Sequence, residues 1–324
     1  MRVLVAIDGS RDAHKALDLV GSLAWPTGTT IRILEVIEIE SESFGGWPLV
    51  GLADSEVLES RIAHHVSATV SAAERHLGGH GFAVEGGVIR GRPASAIVDD
   101  ARRFGADLIV LGSRGHGTIE AMVLGSVSAE VIARSSVPVL VVRGSKPRLD
   151  RILVAWDESP AARAAAELIK TWPMFGSAGI RVLSVADVGP AWWAGFPPAG
   201  AAASGAAYAA AAEEARGLQV EEARALADEL RAAGRSATEV CRDGRPAAEI
   251  MAAAGEWPAD LIVMGTHARH GLSRFLLGSV ARNVLLHADC SVLVVPNPAA
   301  VVRAGAGQTG EPLAASGLGG NRSG

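Results

Sequence analysis

The chain of 324 residues has little cysteine, little aromatic character and no excess of positive charge. Its two cysteines, Cys241 and Cys290, both fall in the second half, so no disulfide framework is shared between the halves, and a reducing, cytoplasmic setting is the expectation. Aromatic residues make up 4% of the chain and the formal net charge is −5. A protein that gains affinity by neutralising nucleic-acid phosphates needs the opposite balance, so a nucleic-acid partner is not expected. Before the first apolar segment, Val3–Ile7, there is no charged n-region followed by an apolar h-region and a cleavage site, and no secretory signal is read there. The stretch from Val188 to Ala212 carries no charge. It is built largely of alanine and glycine and interrupted by Pro190, Pro197 and Pro198, so it reads as a loop leading into a helix and not as a membrane span.

What the chain does have is a second copy of itself. Asp107–Gly112 (Asp-Leu-Ile-Val-Leu-Gly) returns as Asp260–Gly265 (Asp-Leu-Ile-Val-Met-Gly), 153 positions later (260 against 107). Gly91-Arg92-Pro93 returns at the same spacing as Gly244-Arg245-Pro246, Leu124–Val127 as Leu277–Val280, and Val139–Val142 as Val292–Val295. At the front, Arg2–Asp8 returns as Arg151–Asp157, 149 positions later (151 against 2). A repeat this long is a duplicated domain and not a solenoid unit. The expected division is a first domain over 1–146, a second over 147–297, and a Gly- and Ala-rich disordered tail over 298–324.

Within the first copy, short apolar runs alternate with segments of helical period. Val3–Ile7, Ile31–Ile37, Phe82–Ile89, Leu108–Leu111 and Val137–Val142 read as strands, the third weakened by Gly86 and Gly87. Helices are expected after Ser10, from about Ser55, from Pro93, and from just after Gly125 to near Ser135. The order βαβαβαβαβ implies a doubly wound five-stranded parallel sheet, and the second copy repeats it from Ile152 to Val295.

Such sheets bind ligands beyond the carboxyl ends of their strands, where the strand order reverses. With the order 3-2-1-4-5, strands one and four flank that point. An aspartate follows strand one in both copies, Asp8 and Asp157, and a glycine-rich loop follows strand four. The loop reads Gly112-Ser113-Arg114-Gly115 and then, after nine residues, Gly125-Ser126 at the start of a helix. Glycines let a backbone approach phosphate closely and tolerate positive φ, successive N–H groups make an anion-binding concavity, and a helix N-terminus adds its dipole. Ser126 supplies a hydroxyl, and Asp8 is suited to ribose hydroxyls. A plainer role for Asp8 and Asp157, assisting the helix caps Ser10 and Ser159, is compatible with this.

The Gly-x2-Gly-x9-Gly-Ser spacing, the aspartate after strand one and the closing Pro138–Val142 together resemble the universal stress protein family, and both copies share the resemblance. The resemblance implies a tandem protein of the ATP-binding branch, in which the loop holds phosphates and ribose while the aspartate and the end of strand two hold adenosine. Carried onto this chain, it implies Asp8, Val36, Gly112, Gly115, Gly125, Ser126 and Val127 in the first copy, and Asp157, Val185, Gly265, Gly278, Ser279 and Val280 in the second. ATP with Mg²⁺ is the implied cofactor. The function it implies is a stress-response regulator working through nucleotide-dependent contacts with a protein partner of unknown identity. The family also commonly dimerises along the fifth strand, which here suggests pairing of Val137–Val142 with Ser291–Val295 within one chain, beside a possible homodimer.

The second copy departs from the pattern at Ala268, which stands where the first has Gly115. If that position needs positive φ, alanine costs about 1 kcal/mol there, so weaker nucleotide binding is expected, partly offset by Arg269 and Arg274. No Gly-x4-Gly-Lys-Ser/Thr loop is present, and no general base is repeated in both copies except the aspartate, which disfavours an ATP hydrolase or phosphotransferase beyond slow turnover. A scaffold that binds no nucleotide is the third reading. His267 and His270 lack an evident third metal ligand, His64 and His65 read as solvated, and Cys290 reads as a core thiol. The aromatic stretches after strand two, around Trp47 and around Trp192-Trp193, read as a lid or a protein contact.

Overall fold

The computed structural model describes residues 1–38, 55–115, 124–144, 146–186, 201–266 and 277–298; for 55–63, 201–212 and 215 it gives the backbone course alone. The first half runs β1 (Arg2–Ile7), α1 (Arg11–Ser22), β2 (Thr30–Glu38), α2 (Ser55–Gly78), β3 (Ala83–Gly91), α3 (Pro93–Phe104), β4 (Leu108–Gly112), α4 (Ser126–Arg134) and β5 (Val139–Val142). The second runs β6 (Arg151–Trp156), α5 (Pro160–Thr171), β7 (Gly179–Ala186), α6 (Ala201–Ala232), β8 (Ser236–Asp243), α7 (Pro246–Glu256), β9 (Leu261–Gly265), α8 (Ser279–His287) and β10 (Ser291–Val295).

The strands form one sheet of ten, in the order β3-β2-β1-β4-β5-β10-β9-β6-β7-β8. Each half therefore has the expected 3-2-1-4-5 order, and all pairs within a half are parallel. The halves meet where β5 and β10 pair antiparallel, with Val139 opposite Val294, Leu140 opposite Leu293 and Val141 opposite Val292. The expected joining of the two copies is present, but the fifth strand begins at Val139 and not at Val137. Two layers of apolar side chains cover the sheet. One lies under α1, α2, α5 and α6, around residues such as Val5, Leu77, Val154 and Leu230. The other lies under α3, α4, α7 and α8, around Leu4, Ile97, Leu153 and Val284. Both layers run through both halves, because the central strands are fully buried on each face.

Local sequence explains the helix starts. The Ser10 hydroxyl accepts from the Ala13 N–H at 3.2 Å and caps α1. Ser159 does the same for α5 through Ala162 at 3.1 Å. Pro93 and Pro246 open α3 and α7, where a missing N–H costs nothing. Gly105, in the left-handed conformation at φ 67°, ends α3. Gly86 corrects the reading of the third strand. A Cβ there would stand 2.4 Å from Val70 Cγ1, so the glycine lets α2 pack close against β3. The aromatic stretches around Trp47 and Trp192, the tail beyond residue 298, and Ala268 with its neighbours His267, Arg269, His270 and Arg274 lie outside the described residues. No described helix is long and apolar enough to cross a membrane.

Candidate functional site

The carboxyl ends of β1, β2 and β4, with the start of α4, enclose a cleft of about 670 Å³. Asp8, Val36, Gly112, Gly115, Gly125, Ser126 and Val127 all line it, so every residue singled out in the first copy converges on one cavity. A second cleft, of about 370 Å³, occupies the matching place in the second half and is lined by Asp157, Val185, Gly265, Gly278, Ser279 and Val280. Both volumes fall in the range of small-molecule sites, about 300–1,000 Å³.

Helices α1 and α5 have serine caps, whereas α4 and α8 do not. Each begins after a glycine, Gly125 or Gly278, and among the described residues no side chain caps its first amides. Those amides face the cleft with their donors and the positive end of the helix dipole, the arrangement that binds anions. The glycine N-caps are fixed alike in both halves: Gly125 N–H donates to Ser113 O and Gly278 N–H to Thr266 O, each at 2.9 Å.

The loop glycines are needed for space and not for a left-handed backbone, since none of Gly112, Gly115 and Gly125 has positive φ. A Cβ on Gly112 would lie 2.8 Å from the Asp12 carbonyl carbon and 2.9 Å from Ala13 N, so strand and helix approach backbone to backbone. Gly265 meets Ala161 in the same way, with Cβ atoms 2.6 Å apart. A Cβ on Gly115 would stand 2.5 Å from Asp8 Oδ2. This corrects the ground for expecting a defect at Ala268: in the first half the constraint on this position is proximity to the aspartate and not a positive φ.

Asp8 and Asp157 also perform the plainer task. Their Oδ1 atoms accept from the Ser10 and Ser159 N–H groups, each at 3.0 Å. This turn leaves Asp8 Oδ2 against Gly115. The residue between aspartate and serine is Gly9 at φ 75° in the first half and Glu158 at φ 58° in the second. Glu158 thus holds a conformation that non-glycine residues seldom adopt, and it pairs with Arg163 at 2.9 Å.

The first loop is further pinned by a polar cluster that the sequence did not reveal. Asp12, buried within α1, accepts from Ser113 Oγ at 2.7 Å, Lys15 Nζ at 2.9 Å and Arg114 Nε at 3.3 Å. Burial pushes this carboxyl up, but the bonds from Ser113, Lys15 and Arg114 outweigh it, and the net shift is below the ordinary carboxylate value. Ser128 Oγ donates to Gly112 O at 3.0 Å, and Ser10 Oγ to Arg114 O at 3.2 Å. The repeat replaces Asp12 with Ala161 and Ser128 with Ala281, so the second loop lacks two of these anchors. Arg114 and Glu38 line the first cleft and were also missed. Arg114 sits between the two glycines already identified, the one signal that could have drawn attention to it.

For His64, His65 and Cys290 the structure agrees with the plainer readings. His64 and His65 are exposed. Burial pushes the Cys290 thiol up to about 11, which keeps it protonated and a poor nucleophile at neutral pH. Among the described residues, no cluster of three metal-ligating side chains occurs.

Comparison with known proteins agrees with this architecture. The model of the universal stress protein family matches twice, over residues 1–143 and 148–296. A universal stress protein of Mycobacterium tuberculosis is 26% identical over 319 residues, spanning 91% of this chain and 95% of its own length. A Bacillus subtilis universal stress protein is 33% identical over 145 residues, 44% of this chain and 98% of its own. The crystal structure of an Archaeoglobus fulgidus universal stress protein superposes with a TM-score of 0.66 at 20% identity, covering 91% of this chain and 96% of that one, which is a likeness of fold. The chain belongs to the universal stress protein family, with the family's domain present in tandem.

Proposed function

We propose that this protein binds ATP in the first cleft and acts as a stress-response regulator in the cytoplasm, through contacts with a protein partner that change with nucleotide occupancy. The observation that carries this reading is the uncapped start of α4 at Gly125-Ser126, opposite Asp8, across a cavity large enough for a nucleotide. In this reading the α4 amides, Ser126 and the Gly112–Gly115 backbone hold phosphates, Asp8 takes ribose hydroxyls, and Val36 and Val127 flank the base. The close approach of Gly115 to Asp8 supports the fit, because any side chain there would fill the path between loop and aspartate. Among the described residues, Asp8 and Glu38 are the cleft's carboxylates and the residues suited to a nucleotide-bound Mg²⁺.

The second cleft, with Asp157, Val185, Gly265, Gly278, Ser279 and Val280, is the weaker site for ATP. It is smaller, and its loop lacks the Asp12 and Ser128 anchors. The test is to denature freshly purified full-length protein and identify the released small molecules by mass. The expected result is adenine nucleotide at close to one per chain. Protein that releases none, and that shows no saturable binding of added ATP with Mg²⁺, contradicts the proposal.

A further inference from the structure

Helix α8 belongs to the second copy, yet its last turn is gripped from the first. The Arg143 guanidinium, just past β5, donates to Ala288 O at 2.6 Å and to Leu285 O. The Arg143 backbone is fixed in turn, because its N–H donates to Ser291 Oγ at 3.1 Å beside the β5–β10 ladder. A cation bonded to the last carbonyls of a helix satisfies groups that the helix leaves open and meets the negative end of its dipole. The other end of α8 lines the second cleft with Ser279 and Val280. One helix of nine residues therefore connects Arg143 to the wall of that cleft.

The grip has no counterpart. At the spacing of 153 that relates the copies, Pro296 stands in place of Arg143 (296 against 143), and Ile132 and Ser135 in place of Leu285 and Ala288. Proline has no charge to offer the last carbonyls of α4. The hold of one copy on the other is thus built on one side only.

Arg114 brings the first cleft to this grip. Among the described residues it is the one Lys or Arg that lines the first cleft. It also lines a pocket of about 100 Å³ where the halves meet, with Asp12, Lys15, Arg143 and Asp289. Its side chain is half-exposed, and its Nε reaches Asp12 Oδ2 at 3.3 Å, long for a bond between charged groups. The Arg114 charge works against Arg143. After burial it is the next cause that pulls the Arg143 pKa down, while Asp12 and Asp289 act the other way. An anion in the first cleft competes for Arg114 and offsets its charge.

We propose that Arg143 is a positioning residue for the second cleft and that Arg114 couples it to the first: an anion bound in the first cleft neutralises Arg114, relieves its repulsion of Arg143 and tightens the hold on α8. Arg143 stays charged throughout, so the coupling is a change in Coulomb energy and not a titration. With ATP as the anion, the coupling rests on the function proposed above; the link from Arg114 through Arg143 to α8 does not.

The test is hydrogen exchange of the full chain, read by mass spectrometry over Ser279–His287, with ATP and Mg²⁺ titrated calorimetrically in parallel. Without nucleotide, Arg143→Met should speed exchange in α8, and Arg114→Gln should slow it by about twofold to fivefold. A residue that merely pinned the loop would not slow exchange in α8 when removed. Saturating ATP with Mg²⁺ should slow α8 in the parent by a similar factor. That slowing should vanish in Arg143→Met, which should still bind ATP within about fivefold of the parent. It should vanish as well in Gly115→Asp, where the first cleft is blocked. If calorimetry shows no ATP binding, the proposed function fails, and the nucleotide-free comparison alone decides the coupling. The proposal is overturned if Arg114→Gln leaves α8 exchange unchanged or faster, or if bound ATP leaves α8 of the parent unchanged. It is overturned too if ATP slows α8 equally in Arg143→Met or Gly115→Asp, the mark of nucleotide acting from the second cleft itself. Should Arg143→Met fail to fold, the arms with Arg114→Gln and Gly115→Asp decide without it.

Discussion

At the scale of single residues, the first cleft depends on space and on one buried carboxylate. Gly112→Ala would drive a methyl group into the Asp12–Ala13 backbone, which cannot yield as a flexible side chain can. We expect a loss of about 1–3 kcal/mol of stability, read as a lower denaturation midpoint, and a similar loss for Gly265→Ala against Ala161. Asp12 gives a prediction in pH. Its folded-state value is depressed, so its contribution to stability is present above the ordinary carboxylate range and is lost as pH falls through the depressed value. Asp12→Asn should therefore be less stable than the parent at pH 7, and the gap should close on acidification below about pH 4. A gap that stays constant through that range would mean that the Asp12 charge is not what holds Ser113 and Arg114.

At the scale of elements, the junction between the halves determines how the chain unfolds. The β5–β10 ladder is reinforced by Arg143, whose guanidinium donates to Ala288 O at 2.6 Å and to Leu285 O, at the carboxyl end of α8. Burial, with the neighbouring Arg114 charge, pulls the Arg143 pKa below its ordinary value, yet a guanidinium remains charged at neutral pH. It thus meets the negative end of the α8 dipole. Arg143→Ala should cost about 1–3 kcal/mol, measured by chemical denaturation. Leu293 faces Leu140 across the ladder and is buried in the layer that runs through both halves. Leu293→Ser should lower the melting of both halves together, by about 2–5 kcal/mol at equilibrium. Calorimetry that showed only the second half affected would contradict a shared core.

Elements were legible in the sequence where one local rule dominated. β1 and β4 are short apolar runs, Ser10 and Ser159 are caps, and Pro93 and Pro246 mark helix starts. Gly86 misled because a glycine in a strand reads as a weakness until the helix above it is seen. Asp12 was hidden because a charged residue on an amphipathic helix reads as solvated; only the fold brings Ser113 and Arg114 to it from about a hundred residues away. The residues that line the two clefts were read together because the duplication marks what both copies share.

At the scale of the whole molecule, a tandem protein presents two clefts at the carboxyl ends of one ten-stranded sheet. The proposed function rests on ATP binding in the first cleft through the Gly112–Gly115 loop and the open start of α4. The direct measurement is calorimetric titration of ATP with Mg²⁺ into the full chain and into Gly115→Asp. That substitution places a second carboxylate against Asp8, where even a Cβ would lie 2.5 Å from Oδ2. One dominant binding event per chain is expected in the parent and at least about a hundredfold weakening in the variant, as two carboxylates at this distance cannot both remain charged beside a phosphate. Equal ATP affinity in parent and variant, or no binding by the parent, would contradict it.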